Sequence, residues 1–470
     1  MNKKLFNLSM LTLGCSILVG CSSFTRSEFE MPSVEIPSHW QQQTNTLIAL
    51  TSADQWWKQF NNPELNSLID RALATNNDLA LATLTLRKAR LNTGLSEDRK
   101  LPDLSFSAES SNATSLNGTD DDNDNTYSTT TELSYELDLW GELSATADAQ
   151  QWAAQASKED REAVAQSLVV TVASLYWKIG YLNQRLNIIQ SNINGIEQII
   201  TLTKNRYANG STTRLAVLES TQDLYKQQVS FSELQQQLTE SKHALAILLN
   251  QPPQDVMVNI DKLPEGTLPE IAAGIPADLL LRRPDIKASL YQLKSTLAEK
   301  DALDASFFPS LTLTADLDTS SSKLIELLQN PVGTLGAELS LPFLNWNNMK
   351  LNKKISEVEY QTAVINYRVT LYEAFEEVAN YLSAKKHYQY QYEIQKTQYS
   401  NAQEVEAIYA SKYRAGAIDM IDWINALEDE RDVQASLLEN QYNQFVIQAK
   451  LYQSLGGSDI APEITSNIDK

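Results

Sequence analysis

Few side chains in this sequence are placed for catalysis or for metal binding. The densest group of potential ligands is the acidic stretch Asp120–Asp124, whose oxygens would suit Ca²⁺. A calcium loop of the EF-hand kind needs glycine at its sixth position and glutamate at its twelfth, where this stretch has Asn125 and Thr131. We therefore interpret it as a solvated extracellular loop. The three histidines are scattered: His39, His243 and His387. No Cys/His cluster, nucleophile triad or phosphate-binding glycine loop appears, so the sequence predicts neither an enzyme nor a metal site.

The one thiol that the sequence marks for modification is Cys21. Lys3 and Lys4 precede a short apolar run that ends there, which indicates a secretory signal peptide over residues 1–20. The run Leu18–Cys21 resembles a bacterial lipobox, which implies cleavage before Cys21 and acylation of its thiol. Serine after the cysteine resembles the pattern that sorts such lipoproteins to the outer membrane. An ordinary signal peptide followed by a chance cysteine is the alternative.

The cysteine content, the net charge and the distribution of apolar residues limit which partners the chain can bind and how it can cross a membrane. The only other cysteine, Cys15, leaves with the signal peptide, so we expect no disulfide. The net charge is −21, which argues against binding nucleic acid and against polybasic binding to membranes. No later segment has 18 uninterrupted apolar residues, so we expect no transmembrane helix. Any crossing of the membrane must then be made by strands.

One structural plan occurs twice in the chain. The segment Arg206–Gly210 recurs 206 residues later as Lys412–Gly416, and Pro102–Glu109 matches Pro309–Asp316 at an offset of 207. A tandem duplication explains both matches. We predict a signal peptide at 1–20, a lipid-anchored arm at 21–55, a first repeat at 56–253, a linker at 254–275, a second repeat at 276–456 and a tail at 457–470.

Each repeat is predicted to contain helix, β-hairpin, long helix and returning helix. In the first repeat the β-hairpin, the long helix and the returning helix span about 102–139, 143–207 and 215–249. In the second repeat the same three elements span about 309–343, 349–413 and 419–455. The first long helix carries apolar residues at a and d positions over five heptads, which is a coiled-coil pattern. These residues are Leu168, Val172, Leu175, Ile179, Leu182, Leu186, Ile189, Ile193, Ile196 and Ile200.

The hairpin strands alternate between apolar and polar residues over nine or ten positions, the length that crosses an outer membrane. One chain offers four such strands, whereas the smallest natural membrane barrels have about eight. An open edge would leave backbone groups unsatisfied in hydrocarbon, so the strand count predicts oligomerisation. The alternative is that these strands form the edge of a soluble β-sandwich with one solvent-exposed face.

Four motifs carry a resemblance to a known family: Trp56–Phe60, Arg282–Asp285, Phe307–Leu311 and Tyr413–Gly416. In this order they resemble the TolC superfamily, and more narrowly the acylated, NodT-type outer-membrane factors of resistance-nodulation-division efflux pumps. The resemblance implies an α+β membrane protein with a long α-helical coiled-coil barrel and a trimeric twelve-stranded β-barrel. It also implies a periplasmic adaptor and an inner-membrane efflux transporter as partners.

The resemblance further implies roles for the turns that end the long helices. The periplasmic gate of the family matches Ile421, Asp422 and Asn425, with Asp419 as a second candidate that we expect instead to cap the returning helix. Asn425 stands where some members have a second aspartate, so three carboxylates rather than six are expected around the pore axis. Like charges gathered near an axis repel one another and select cations.

The same turns are implied to dock the adaptor. The residues concerned are Tyr207, Gly210, Leu218, Tyr413, Arg414 and Gly416. Tyr413 and Arg414 are expected to hydrogen-bond the closed tip to neighbouring helices, and the two glycines are expected to be left-handed helix ends.

The function predicted is a passive outer-membrane channel of a tripartite pump for drugs or other small toxic compounds. A structural or adhesive coiled-coil lipoprotein and a type I protein-secretion duct are the alternatives. The sequence leaves open the transported compounds, including metal ions, and the identity of the pump and adaptor.

Overall fold

The structure is a computed structural model of the chain. It describes residues 26–40, 55–114, 123–253, 260–264, 268–271, 276–278, 282–457 and 460–462. The predicted signal peptide, Cys21, Asp120–Asp122 and most of the predicted linker lie outside the described residues.

Seven helices and four strands make up most of the described chain. In order they are α1 (Pro63–Thr75), α2 (Asn77–Asp98), β1 (Asp103–Thr114), β2 (Asn123–Leu137), α3 (Glu142–Ala208), α4 (Arg214–Leu248), α5 (Pro284–Ala305), β3 (Ser310–Ser321), β4 (Val332–Ser340), α6 (Trp346–Arg414) and α7 (Met420–Ser454). The long helices α3 and α6 stand where the sequence predicts 143–207 and 349–413. The order helix, hairpin, long helix, returning helix is present in each half.

Local chemistry explains where several elements begin and end. The Asn62 and Asn76 side chains accept hydrogen bonds from the Leu65 and Leu79 amides, each at 3.0 Å, and so start α1 and α2. The last strand is shorter than predicted, because β4 ends at Ser340 and not at residue 343. Pro342 has no amide hydrogen and opens a 3₁₀ turn there, so the strand ladder cannot continue.

The four strands form one antiparallel sheet in the order β1-β2-β3-β4. Its register places apolar residues side by side on one face, for example in the row Leu104, Leu133, Ala315 and Leu335. Leu104 is 69% exposed and Leu335 is 87% exposed in the single chain. The sheet therefore presents a continuous apolar face to its surroundings, as the alternation predicts.

The described chain forms two compact units, and they do not coincide with the two repeats. One unit takes residues up to Val34, Leu84–Glu159 and Lys287–Thr370, and includes the sheet. The other takes Glu35–Thr83, Asp160–Ile286 and the chain from Leu371 onward. Each unit thus draws on both copies of the duplicated plan.

The second unit contains the main hydrophobic core, built on the heptad residues of α3. Trp57, Trp177 and Phe445 lie in this core with Leu168, Val172 and Ile179. Farther along α3, Leu182, Ile189 and Ile193 pack against Leu234 of α4. Among the described helices, α3 alone has an 18-residue stretch of mean hydropathy 1.2, and 61% of that stretch is buried within the protein. This is the apolar stripe of a core helix.

Two glycines inside α3 provide a matched test of this packing. A Cβ at Gly180 would lie 2.9 Å from the Lys262 carbonyl oxygen, whereas a Cβ at Gly195 would meet no atom within 4 Å. We expect Gly180→Ala to destabilise the protein by about 1–3 kcal/mol through overpacking. Gly195→Ala should stabilise it by about 0.5–1 kcal/mol, since alanine is the better helix former. Unfolding midpoints of the detergent-solubilised variants measure both effects, and equal shifts would contradict the close packing at Gly180.

Candidate functional site at the helical tips

The two long helices end in turns of the same backbone geometry. Gly210 has φ of 71° and Gly416 has φ of 73°, which is the left-handed region predicted for both. The Gly210 amide donates to the Tyr207 carbonyl at 3.0 Å, and the Ser211 amide donates to Arg206 at 2.8 Å. The same two bonds recur at Gly416 and Ala417, so both tips are Schellman motifs. The duplication has preserved the turn itself.

The helices that return from the two turns begin differently. At the start of α4, the Thr213 hydroxyl accepts a hydrogen bond from the Ala216 amide at 3.3 Å. At the start of α7, Asp419 occupies the N-cap position, but its side chain makes no capping hydrogen bond. The expectation that Asp419 caps the returning helix is therefore wrong for its side chain, which stays exposed. Its carboxylate is left available to solvent.

Tyr413 forms the centre of the second tip. Its side chain is only 3% exposed and lies between the Trp423 ring, 5.1 Å away between centroids, and the Arg206 guanidinium, 4.9 Å from the ring centre. Ala216 and Ile424 complete the apolar surroundings. Cation–π and stacking contacts of this kind each contribute about 0.5–1.5 kcal/mol. Tyr413 thus ties the end of α3 to the ends of α6 and α7.

The hydrogen bonds expected of Tyr413 and Arg414 take another form. The Tyr413 hydroxyl has no partner among the described residues, although it is buried. Arg206 donates to the Tyr413 carbonyl at 3.4 Å, and the Arg414 side chain donates to Ala410 in its own helix at 3.1 Å. Within one chain the bond between helices is therefore made by Arg206, which the sequence did not single out. The only feature of the sequence that could have pointed to Arg206 is its position one residue before Tyr207.

The proposed gate residues lie on the free side of α7. Ile421 is 40% exposed, and Asp422 and Asn425 are also exposed. Asp422 and Asn425 are three residues apart and share one side of the helix, away from the buried Ile424. Asp422 is in the first helical turn, where the helix dipole stabilises a carboxylate. The charge is therefore held on the surface of the tip.

Equivalent residues of the two tips have different environments. Tyr207 is 48% exposed, whereas Tyr413 at the same place in the second copy is buried. Leu218 is 51% exposed, whereas its equivalent Ile424 is buried. At these two positions the first tip presents apolar side chains outward, whereas the second tip packs them inward.

A buried ion pair joins the two returning helices above the tips. Arg431 of α7 and Asp223 of α4 are 8% and 3% exposed in their side chains, with nitrogen–oxygen distances of 3.2 and 3.3 Å. A second pair, Lys226 with Glu428 at 2.8 Å, joins the same helices at the surface. The hydrogen bond and negative charge of Glu428 raise the pKa of Lys226. Neither pair has a sequence signal, because the partners are about 200 residues apart and meet only when α4 lies beside α7.

Two glutamates, Glu406 of α6 and Glu430 of α7, lie next to the second tip. Trp423 donates its indole hydrogen to Glu406 at 2.9 Å. Burial raises the pKa of Glu430, and the hydrogen bond with Tyr399 acts in the opposite direction. Glu430 therefore binds a proton more readily than an ordinary glutamate. In the described part of the chain no three His, Cys, Asp or Glu residues are grouped to hold a metal ion.

Comparisons with known proteins agree on one family. The family model described as outer membrane efflux protein matches residues 68–251 and 275–457. The chain is 30% identical over 409 residues to toxin and drug export protein A of Aggregatibacter actinomycetemcomitans, covering 86% of this chain and 88% of that protein. It is 28% identical to the pyoverdine export outer membrane protein OpmQ of Pseudomonas aeruginosa, with 96% of each chain covered.

A solved structure extends the similarity to three dimensions. The structure of CusC, which bears the name cation efflux system protein in Escherichia coli, superimposes with a TM-score of 0.79 at 26% identity. The match covers 92% of this chain and 99% of that one. The similarity therefore extends over the sheet as well as the helices.

The buried pair between α4 and α7 gives a testable prediction for the tips. Asp223→Ala leaves the Arg431 charge buried without a partner, which costs about 3–5 kcal/mol. Lys226→Ala breaks the surface pair between the same helices and should cost less than about 1 kcal/mol. We expect hydrogen exchange in α4 and α7 to accelerate strongly in the first variant and little in the second. Equal protection in both variants would show that the buried pair does not hold these helices together.

Proposed function

This chain belongs to the outer membrane efflux protein family and is an outer-membrane efflux channel, and from this premise we propose that three copies form one pore. The pore serves as the passive exit of a tripartite pump, and the chain itself supplies no energy. The observation that carries the proposal is the four-stranded sheet with two free edges and one apolar face.

The free edges argue for closure by other copies. The strands β2 and β3 each have two neighbours, whereas β1 and β4 each have one. In hydrocarbon an unpaired edge leaves several backbone groups without hydrogen bonds, at several kcal/mol for each group. Pairing β4 of one copy with β1 of the next satisfies both edges. Three copies give twelve strands, which is within the range of outer-membrane barrels.

Exposed helix stripes next to these edges support the same pairing. Just before β1, α2 exposes Leu84, Leu91 and Leu95, at 56%, 65% and 58%. Just after β4, α6 exposes its own stripe: Leu351, Ile355 and Val358, at 60%, 55% and 60%. Pairing β1 with the β4 of a neighbour places α2 of one copy close to α6 of the other. The two apolar stripes would then cover each other.

The exposed carboxylates of α7 support a gate at the periplasmic tip. Three copies of Asp422, with Ile421 and Asn425 beside it, would gather around the axis of the trimer. Three like charges repel one another and attract cations, which favours a narrow, cation-selective opening. Asp419, without a capping bond, is a second carboxylate that can join this ring.

The apolar residues of the tips support docking of a periplasmic adaptor, which would join the channel to an inner-membrane transporter. The exposed Tyr207 and Leu218 offer such a partner an apolar contact beside Gly210. In the second tip Arg414 and Gly416 remain exposed, whereas Tyr413 acts from within by holding the turn together. The N-terminal end is held to the outer membrane by lipid on Cys21.

The names of the relatives support a class of cargo. They refer to toxins and drugs, to pyoverdine and to cations. We infer small toxic compounds as the cargo of this channel, with the choice among them made by the transporter. Export of a toxin is a second candidate function, favoured by the name of the relative that is 30% identical.

Single-channel recording in planar bilayers tests the channel and its gate together. Wild-type protein should give small, cation-selective openings. Asp422→Ser should give larger openings with weaker cation selectivity, because the charges around the axis are removed. Asp432→Ser removes an exposed carboxylate about 15 Å farther along the same helix, away from the tip, and should behave as wild type.

Two outcomes would contradict parts of this proposal. Identical traces from wild type and Asp422→Ser would place the gate elsewhere. Absence of conductance from protein that has inserted into the bilayer would contradict the pore itself.

A further inference from the structure

A group of lysines stands at the start of α6, in a chain that is strongly acidic as a whole. Lys350, Lys353 and Lys354 fall within five residues, and the first acidic residue of the helix is Glu357. Lys353 lies 3.0 Å from the Asp304 carboxylate. Within the described residues, neither Lys350 nor Lys354 has a carboxylate at ion-pair distance, and both are exposed. Two positive charges are therefore left for an outside partner.

These lysines follow directly on the last strand of the sheet. Only five residues separate the end of β4 at Ser340 from Trp346, the first residue of α6. Trp346 is 62% exposed and Leu344 is 74% exposed. Tryptophan and lysine together are typical of the boundary between hydrocarbon and headgroups, where each has an apolar part and a polar end. The start of α6 thus has the composition of a membrane-boundary segment.

Trp346, Lys350 and Lys353 occupy a different side of α6 from the stripe assigned to the trimer contact, and Lys354 lies between that side and Val358 of the stripe. Trp346, Lys350 and Lys353 are four and three residues apart and share one side of the helix. Leu351, Ile355 and Val358 lie roughly a third of a turn farther round. Covering the apolar stripe by a neighbouring copy would therefore leave the side of Trp346, Lys350 and Lys353 open, with Lys354 at its edge.

An apolar cavity of about 560 Å³ adjoins this side of the helix. Its apolar lining is Phe307, Phe308, Pro309, Phe343 and Met349, and its polar rim is Arg26, Ser27, Asp304 and Lys353. Met349 and Lys353 also line the surface that carries Trp346, Lys350 and Lys354, and Glu357 and Val358 lie on that surface too. Arg26 and Lys353 at the rim are paired with Asp148 and Asp304, so the unpaired positive charge near the apolar lining belongs, among the described residues, to Lys350 and Lys354. An apolar lining with unpaired lysines nearby matches a molecule with an acyl chain and an anionic headgroup.

The N-terminal arm shows which way the cavity faces. The Ser27 amide and hydroxyl both donate to the Asp301 carboxylate, at 2.8 and 2.7 Å, which fixes the arm at the cavity rim. Cys21 is five residues before Arg26 and can be at most about 17 Å from it. If lipid on Cys21 anchors the chain, this side of α6 faces the bilayer and not the pore.

We propose that the start of α6 and the adjoining cavity bind one anionic glycerophospholipid of the inner leaflet. Lys350 and Lys354 hold its phosphate, Trp346 lies at the level of its glycerol, and one acyl chain enters the cavity beside Phe343. The site goes beyond the channel function and depends only on the orientation of the membrane. A zwitterionic lipid offers the lysines no net charge and binds more weakly.

Native mass spectrometry of the detergent-purified protein tests this site, with phosphatidylglycerol and phosphatidylcholine as the probes. The double variant Lys350→Gln/Lys354→Gln should weaken phosphatidylglycerol binding by about 25-fold, since each lysine near an anionic headgroup contributes about fivefold. Lys386→Gln/Lys396→Gln removes two exposed lysines farther along α6 and should leave binding unchanged. Both double variants should conduct as wild type, which separates failure of the lipid site from failure of the channel.

A second measurement tests the orientation without relying on the lysines. In vesicles of phosphatidylglycerol with brominated acyl chains, the fluorescence lost by quenching should be greater in wild type than in Trp346→Phe. Equal quenching in the two proteins would place Trp346 away from lipid and overturn the proposal. Equal affinity of wild type for the two lipids would also overturn it, and would instead indicate an acyl site filled by any lipid, including the chain on Cys21.

Discussion

The constraint on which the rest of the structure depends is that the backbone of a sheet in hydrocarbon must be fully hydrogen-bonded. The sheet has an apolar face suited to lipid, but only β2 and β3 are paired on both sides. Every residue of β4 is exposed in the single chain. A single chain therefore forms the sheet but, within the part that the structure describes, leaves the outer edges of β1 and β4 without hydrogen-bond partners. The proposed trimer meets this requirement by association of copies, and it would bring the apolar stripes of α2 and α6 into contact because they adjoin the free edges.

The duplication explains why the two tips share one backbone geometry. The side chains at equivalent positions have diverged, so the two tips have different surfaces. Both tips turn at a left-handed glycine with the same two hydrogen bonds. Tyr413 is packed inside one tip, whereas its counterpart Tyr207 is exposed on the other. The membrane ends of the long helices differ in the same way, since α3 begins with Glu142 and α6 with Trp346 and three lysines. The duplicated chain thus has one tip with a buried tyrosine, one tip with an exposed tyrosine, and lysines at the start of only the second long helix.

Features with a short sequence period were predictable, and features made by contact between distant segments were not. Heptads located α3 because a helix repeats its surface every few residues, and alternation located the strands for the corresponding reason. Gly416 revealed its turn because few other residues adopt that backbone. The pair Asp223–Arg431 could not be foreseen, since nothing in either segment specifies its partner. The group formed by Lys350 and Lys354 was also not predicted, because the net charge is a sum over the whole chain and does not show a local group of the opposite sign.

The central claim is that the free edges of one sheet are closed by two other copies, and disulfide cross-linking in intact outer membranes tests it most directly. Ser107→Cys on β1 is combined with a cysteine at each position of β4 in turn. Cleavage and acylation at Cys21 would leave no other thiol in the mature chain. The account predicts that pairs at one register give a covalent trimer and no larger species. A ladder of higher oligomers, or cross-links confined to single chains at every register, would contradict it.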